Sequence, residues 1–283
     1  MATSISPLHY QVTNTNHMTE PTKDLDLATM SGEKNIKATT APRYDEITLD
    51  GNYGMYKVKH ITQELQEVQE GGVTKKKYPT SELGEKIEFV WLKIRRQLTE
   101  STDTGLVRQT NEHNHKNDVV TIKHWTGQAD ESMVASSING ATGKYPKMKV
   151  RQIIYALDIA SGKIYRIISK GMSNTMKDKP EDATLFYDYL FGLGKDEHFY
   201  TMTNIMESNQ AKTGVGLKYF SNFSKGRTLS ESEMELVKEK MKEVHDATTL
   251  YDNTRVIVQP SSSVSVDTDS DDDDTISLDD IPF

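Results

Sequence analysis

The sequence predicts a mainly β protein: an OB-fold-like small barrel with one or two helices, followed by a disordered acidic C-terminal tail. Three observations predict it. Several short apolar stretches of strand character are separated by turn residues. Only two segments carry a helical period. From Gln259 the composition collapses into Ser, Asp and Thr, which cannot bury enough surface to fold. A β-sandwich would give a similar strand pattern.

In chain order, residues 1–45 are polar, rich in Thr and Asn, and read as a flexible N-terminal arm. A folded domain is expected over 46–250 and the tail over 251–283. Gln63 to Ser81, with Gly71-Gly72 and Lys75-Lys76-Lys77, reads mostly as a loop. Strands are expected at Ile87–Arg96, Val119–Trp125, Val150–Leu157, Ile164–Lys170, Phe199–Ile205 and Leu217–Phe223. The segment Asp158 to Lys163 joins two of them as a hairpin loop, with Gly162 at a positive-φ site. A short aromatic helix is expected from Ala183 to Gly192. A second helix begins at Ser230, where Glu233 completes a capping box, and Met234, Val237, Met241 and Val244 form its apolar stripe.

Charge and composition narrow the function classes. The chain of 283 residues has a net charge of -8. Eight aspartates and no Lys or Arg lie between Pro260 and Phe283, which leaves 34 acidic and 34 basic residues before them. The body is therefore neutral, and its local charge distribution decides what it binds. No apolar run is long enough to cross a membrane, and the N-terminus has no leader pattern. Absence of cysteine excludes disulfides and thiolate metal sites and is compatible with a cytoplasmic protein. No phosphate loop, nucleophile elbow or HExxH helix is present, so no enzymatic activity and no cofactor are expected. His113 and His115, with Glu112 and Asp118, read as a polar loop and not as a metal site, because no further ligand cluster accompanies them.

Candidate binding residues come from strand alternation. In Ile87–Arg96, Val90, Leu92 and Ile94 point one way, toward a core, while Phe89, Trp91, Lys93 and Arg95 point the other way. Rings beside cations suit single-stranded DNA, since every base offers a π-face and every linkage a negative charge. Lys123 and Trp125 share a face with Thr121. The most basic segment, Lys144 to Lys170, contributes Lys149, Arg151, Tyr155, Tyr165, Arg166 and Lys170. There Arg151, Ile153 and Tyr155 share one face, and Ile164, Arg166, Ile168 and Lys170 share another.

The C-terminus carries the most specific signal. It reads Asp279-Asp280-Ile281-Pro282-Phe283 after the run Asp271 to Asp274. Phe283 presents a ring and an α-carboxylate on one residue, so a pocket with one basic side chain grips both. Pro282 lowers the entropy lost on docking. This ending resembles the tail of the bacterial single-stranded-DNA-binding protein family. The body has no visible match to that family, and its layout is similar to phage-encoded relatives. The resemblance implies a protein that coats single-stranded DNA in replication, recombination and repair. It also implies that residues 279–283 recruit a helicase, primase, polymerase, recombinase or nuclease. A homo-oligomer is compatible with this reading. An adaptor that captures such enzymes without touching DNA is the alternative, and a nuclease with an acidic tail is a third class.

Overall fold

The structure is a computed structural model that describes residues 43–102, 105–176, 179–214 and 216–253. The predicted arm up to residue 42 lies outside the described residues. So does the tail from residue 254, with Asp279, Asp280, Ile281, Pro282 and Phe283.

The strands are β1 Asp45–Leu49, β2 Tyr56–Lys59, β3 Gln66–Glu70, β4 Val73–Lys77, β5 Thr80–Gly84, β6 Lys86–Thr102, β7 Gly105–Thr110, β8 Val119–His124, β9 Glu131–Val134, β10 Lys149–Asp158, β11 Lys163–Lys170, β12 Met202–Thr213 and β13 Gly216–Thr228. The helices are α1 Phe186–Phe191 and α2 Glu231–Asn253. The fold is mainly β, as the strand pattern predicts. One eleven-stranded sheet runs in the order β5-β2-β1-β11-β10-β6-β7-β8-β9, with the β12–β13 hairpin added to the start of β6. Among the described residues no pairing joins β5 to β9, so this path is open.

The 17 residues of β6 organise the molecule. Its run Phe89-Val90-Trp91-Leu92 is apolar without interruption, which is the pattern of a strand covered on both faces. On one side Ile87, Phe89 and Trp91 join Ile47, Tyr56, Ile154, Ile167, Met206 and Phe223 around α1, which inserts Phe186, Tyr189 and Leu190. On the other side Val90 and Leu92 join Ile153, Tyr155, Leu157 and Ile164 beneath α2. Helix α2 lays Val237, Met241, Val244, Thr248 and Tyr251 on them, at spacings of four, three, four and three. The predicted stripe, which ends at Val244, thus runs two turns further, through Thr248 to Tyr251. Its capping box is present: Ser230 N–H donates to Glu233 Oε2 at 2.8 Å, and Glu233 N–H to Ser230 Oγ at 3.4 Å.

The segment 63–81 is corrected from loop to strand. β3 and β4 form their own two-stranded sheet about Gly71 and Gly72, both at positive φ, and β5 pairs with β2. Its alternation is masked because both faces of the β3–β4 hairpin are exposed, so no apolar face marks it. The predicted β10–β11 hairpin forms, with Gly162 at φ 67° and its N–H on the Asp158 carbonyl at 2.8 Å.

Candidate nucleic-acid interface

The predicted aromatic and cationic face of β6 does not exist as one surface. Between Trp91 and Lys93 the pairing with β10 shifts by one residue, from Ala156 to Tyr155, so Leu92 is a β-bulge. A bulge reverses the alternation beyond it. Phe89 and Trp91 therefore point into the core around α1, whereas Lys93 and Arg95 emerge on the α2 side. Trp91 has no exposed surface; Phe186 and Tyr189 lie 5.9 and 5.4 Å from its ring. Tyr165 joins that core as well, edge-on to Phe89.

Three further predicted residues are occupied in a buried network on the α2 side. Arg166 Nε donates to Glu112 Oε1 at 2.8 Å, and Arg166 also pairs with Glu46. Tyr155 Oη donates to Glu112 Oε2 at 2.6 Å. Arg95 Nη2 donates to Asp252 Oδ1 of α2 at 2.8 Å and to the Glu112 carbonyl at 2.9 Å. Burial, then the Glu112 carboxylate, push the Tyr155 phenol well above its usual range. Arg95, Tyr155 and Arg166 thus tie the sheet and α2 together and are buried, not displayed on an accessible surface. Glu112 reaches this network from the 111–118 segment, a role that residue type alone did not reveal. Asp118 Oδ2 accepts from the Asn114 and His115 amides in a tight turn. Among the described residues no group of three His, Asp or Glu side chains could hold a metal.

The remaining candidates are brought together. Antiparallel partners share a sheet face, so the two predicted faces of the β10–β11 hairpin are one: Arg151 pairs with Lys170, Ile153 with Ile168 and Tyr155 with Arg166. One row across the sheet reads Lys170, Arg151, Gln97. The next reads Lys149, Thr99, Gln109, Lys123. Trp125 follows two residues after Lys123 on the same face; it is 56% exposed, with Lys123 Nζ 4.8 Å from its ring centroid. The opposite face of these strands carries Leu98, Val120, Ile122 and Val150 in a separate small core. That core leaves the polar set on the other face, where Lys123, Lys149 and Lys170 are exposed while Gln97 and Thr99 between them are buried.

Beyond Ile153 the described strands β6 to β11 present Ser101, Leu106, Val119, Thr121, Ser132 and Val134 on this face besides the cations, and the nearest acids are Glu46 and Asp50 of the β1 side, which act on Arg151 and Lys170. Elsewhere Lys144, Lys163, Lys225 and Arg227 are each paired with an acid. Lys123, Lys149, Arg151 and Lys170 form no ion pair among the described residues. Burial and then a neighbouring cation lower two of their pKa values: Arg166 acts on Arg151, and Arg151 acts on Lys170. The patch is an under-neutralised cationic surface with one exposed indole.

Compared with protein-family models, curated proteins and solved structures, the chain has no match in any of the three.

Proposed function

We propose that the chain binds single-stranded DNA along the outward face of β11, β10, β6, β7 and β8. The observation that carries this reading is the register that collects Lys170, Arg151, Lys149 and Lys123 with the exposed Trp125 on one face, none of the four cations held in an ion pair among the described residues. Four strand spacings of about 4.8 Å make that face roughly 19 Å wide, enough for several phosphates. The cations neutralise phosphates, and Trp125 stacks a base, worth about 1–3 kcal/mol. We read the curl of β1, β2, β11, β10, β6, β12 and β13 around α1 as an open OB-like barrel. On this reading the protein coats DNA during replication, recombination and repair in a cell or phage-infected host. The Asp279–Phe283 ending recruits the enzymes that act there.

Titration with oligo-dT tests it. Only Trp125 has an accessible ring, so quenching should survive Trp91→Phe and disappear in Trp125→Phe. The slope of log affinity against log salt should fall in size by about 0.7 for each phosphate contact removed, as in Lys123→Gln or Arg151→Gln. A salt-independent interaction, or quenching carried by Trp91, would exclude this surface. Complete absence of oligo-dT binding would leave the adaptor reading.

A further inference from the structure

β6 gives one edge to β10 from Val90 to Thr99. Its other edge is divided among partners that do not meet: β12 over Lys86–Phe89, His113 opposite Arg96, and β7 over Thr99–Thr102. Among the described residues no strand covers that edge between Val90 and Arg95. Arg96 exchanges both backbone hydrogen bonds with His113, at 2.8 and 2.9 Å. Alternate residues of a strand turn their backbone groups to the same edge, so the N–H and C=O of Ile94 face the gap. A cavity of about 360 Å³ fills it, with apolar walls from Leu92, Ile94, Phe199, Tyr200 and Met241.

Two polar groups in the wall lack their usual partners. The Asn114 Oδ1 atom is buried and accepts no hydrogen bond among the described residues. Lys93 is half-buried, donates to the neutral Thr248 hydroxyl at 2.6 Å, and forms no ion pair among the described residues. Its pKa is lowered, first by burial and then by Arg95.

We infer that this cleft binds one nucleotide, its base held between the aromatic and aliphatic walls and its phosphate drawn to Lys93. A nucleobase carries donors and acceptors side by side on one edge. The Ile94 peptide N–H and C=O present the complementary pair to the cleft, beside the Asn114 side chain that lines it. Lys93 supplies the charge that an anionic substituent would neutralise. An added peptide strand does not fit, because β12 and His113 close the gap at both ends. The volume lies at the low end of the roughly 300–1,000 Å³ of small-ligand sites. The inference rests on the DNA reading only for the source of the nucleotide. The segment carrying Asn114 joins β7 to β8, two of the strands that form the cationic face. A free nucleotide offers the same chemistry.

The full chain should be titrated calorimetrically with thymidine monophosphate, adenosine monophosphate, thymidine and inorganic phosphate, and in parallel with oligo-dT. A monophosphate should bind more tightly than thymidine or phosphate alone. Met241→Trp, which fills the cavity, and Asn114→Leu, which removes the amide, should each weaken it about tenfold. Two variants on different elements guard against a fold defect in either, and thermal melts check both. Weaker oligo-dT binding in the same variants assigns the base to a DNA strand. Monophosphate binding without oligo-dT binding assigns the cleft to a free nucleotide and removes the sheet-face reading alone. Failure of every monophosphate to bind, or binding that both variants leave intact, overturns the cleft. Oligo-dT binding that persists in that case leaves the sheet face standing.

Discussion

Trp91 lies within β6, with cations two and four residues away, and Trp125 follows the end of β8, two residues after Lys123, yet their environments are opposite. Trp91 stands among Phe186, Tyr189, Phe199 and Phe223, while the Trp125 ring lies under Lys123 in the open. Trp91→Ala should cost about 3–5 kcal/mol, and Trp125→Ala should stay within about 0.5 kcal/mol. Urea unfolding followed by circular dichroism measures both. Glu112 holds Arg166 and Tyr155 at a site without water access. Glu112→Gln leaves a buried guanidinium with a weaker partner, and a loss of about 3–5 kcal/mol is expected. Asp45 gives a pH test. Burial raises its pKa, but hydrogen bonds from Lys163, Thr62 and His60 outweigh that and hold the carboxyl well below its usual range. A depressed carboxylate stabilises the folded state fully above the unfolded value, about 3.9. That contribution disappears as pH falls through the folded value. Asp45→Asn should therefore destabilise the protein at pH 7, with the gap to wild type closing progressively below about pH 4.

At the scale of elements, α2 is specified twice, by its apolar stripe and by its cap. Ser230→Ala removes the cap acceptor and should cost about 1 kcal/mol, read as a shift in the urea midpoint at constant slope. The helix also contributes through its last turns, where Thr248 and Asp252 receive Lys93 and Arg95. β6 shows how one inserted residue changes function. Without the bulge at Leu92, Trp91 and Arg95 would share a face, as simple alternation predicts. With it, the ring stabilises one core and the guanidinium anchors a helix on the opposite side. The β3–β4 hairpin lies outside every core, since two strands with both faces exposed bury nothing. Its Gly71-Gly72 turn was visible in the sequence; its pairing was not.

Over the whole molecule, charge is segregated. Eight aspartates after Gln259 account for the net charge of -8, and the cationic face belongs to a neutral body. An anionic segment tethered to a cationic surface competes with DNA at high effective concentration. Removing residues 260–283 should keep or raise oligo-dT affinity in a fluorescence titration while abolishing capture of replication and repair enzymes. Loss of oligo-dT binding on that truncation would count against the sheet-face reading.

Element types are legible in the chain where one face is apolar, because periods of 2 and 3.6 are local, and they are lost where both faces are exposed, as in β3 and β4. The sequence predicts strands within β6, β8, β10, β11, β12 and β13, the β10–β11 turn at Gly162 and the α2 cap. β1 and β2 escaped notice because they are short and carry charges among few apolar residues, Asp45-Glu46-Ile47-Thr48-Leu49 being one case. Which cations remain available is settled by long-range contacts. Arg95 and Arg166 look no different in sequence from Arg151, yet Glu112 and Asp252 reach the first two from distant segments and leave the third without an ion pair among the described residues. Whether a charge is consumed depends on partners brought close by strand register and a helix crossing. Those distances are set by the fold and leave no local pattern in the chain.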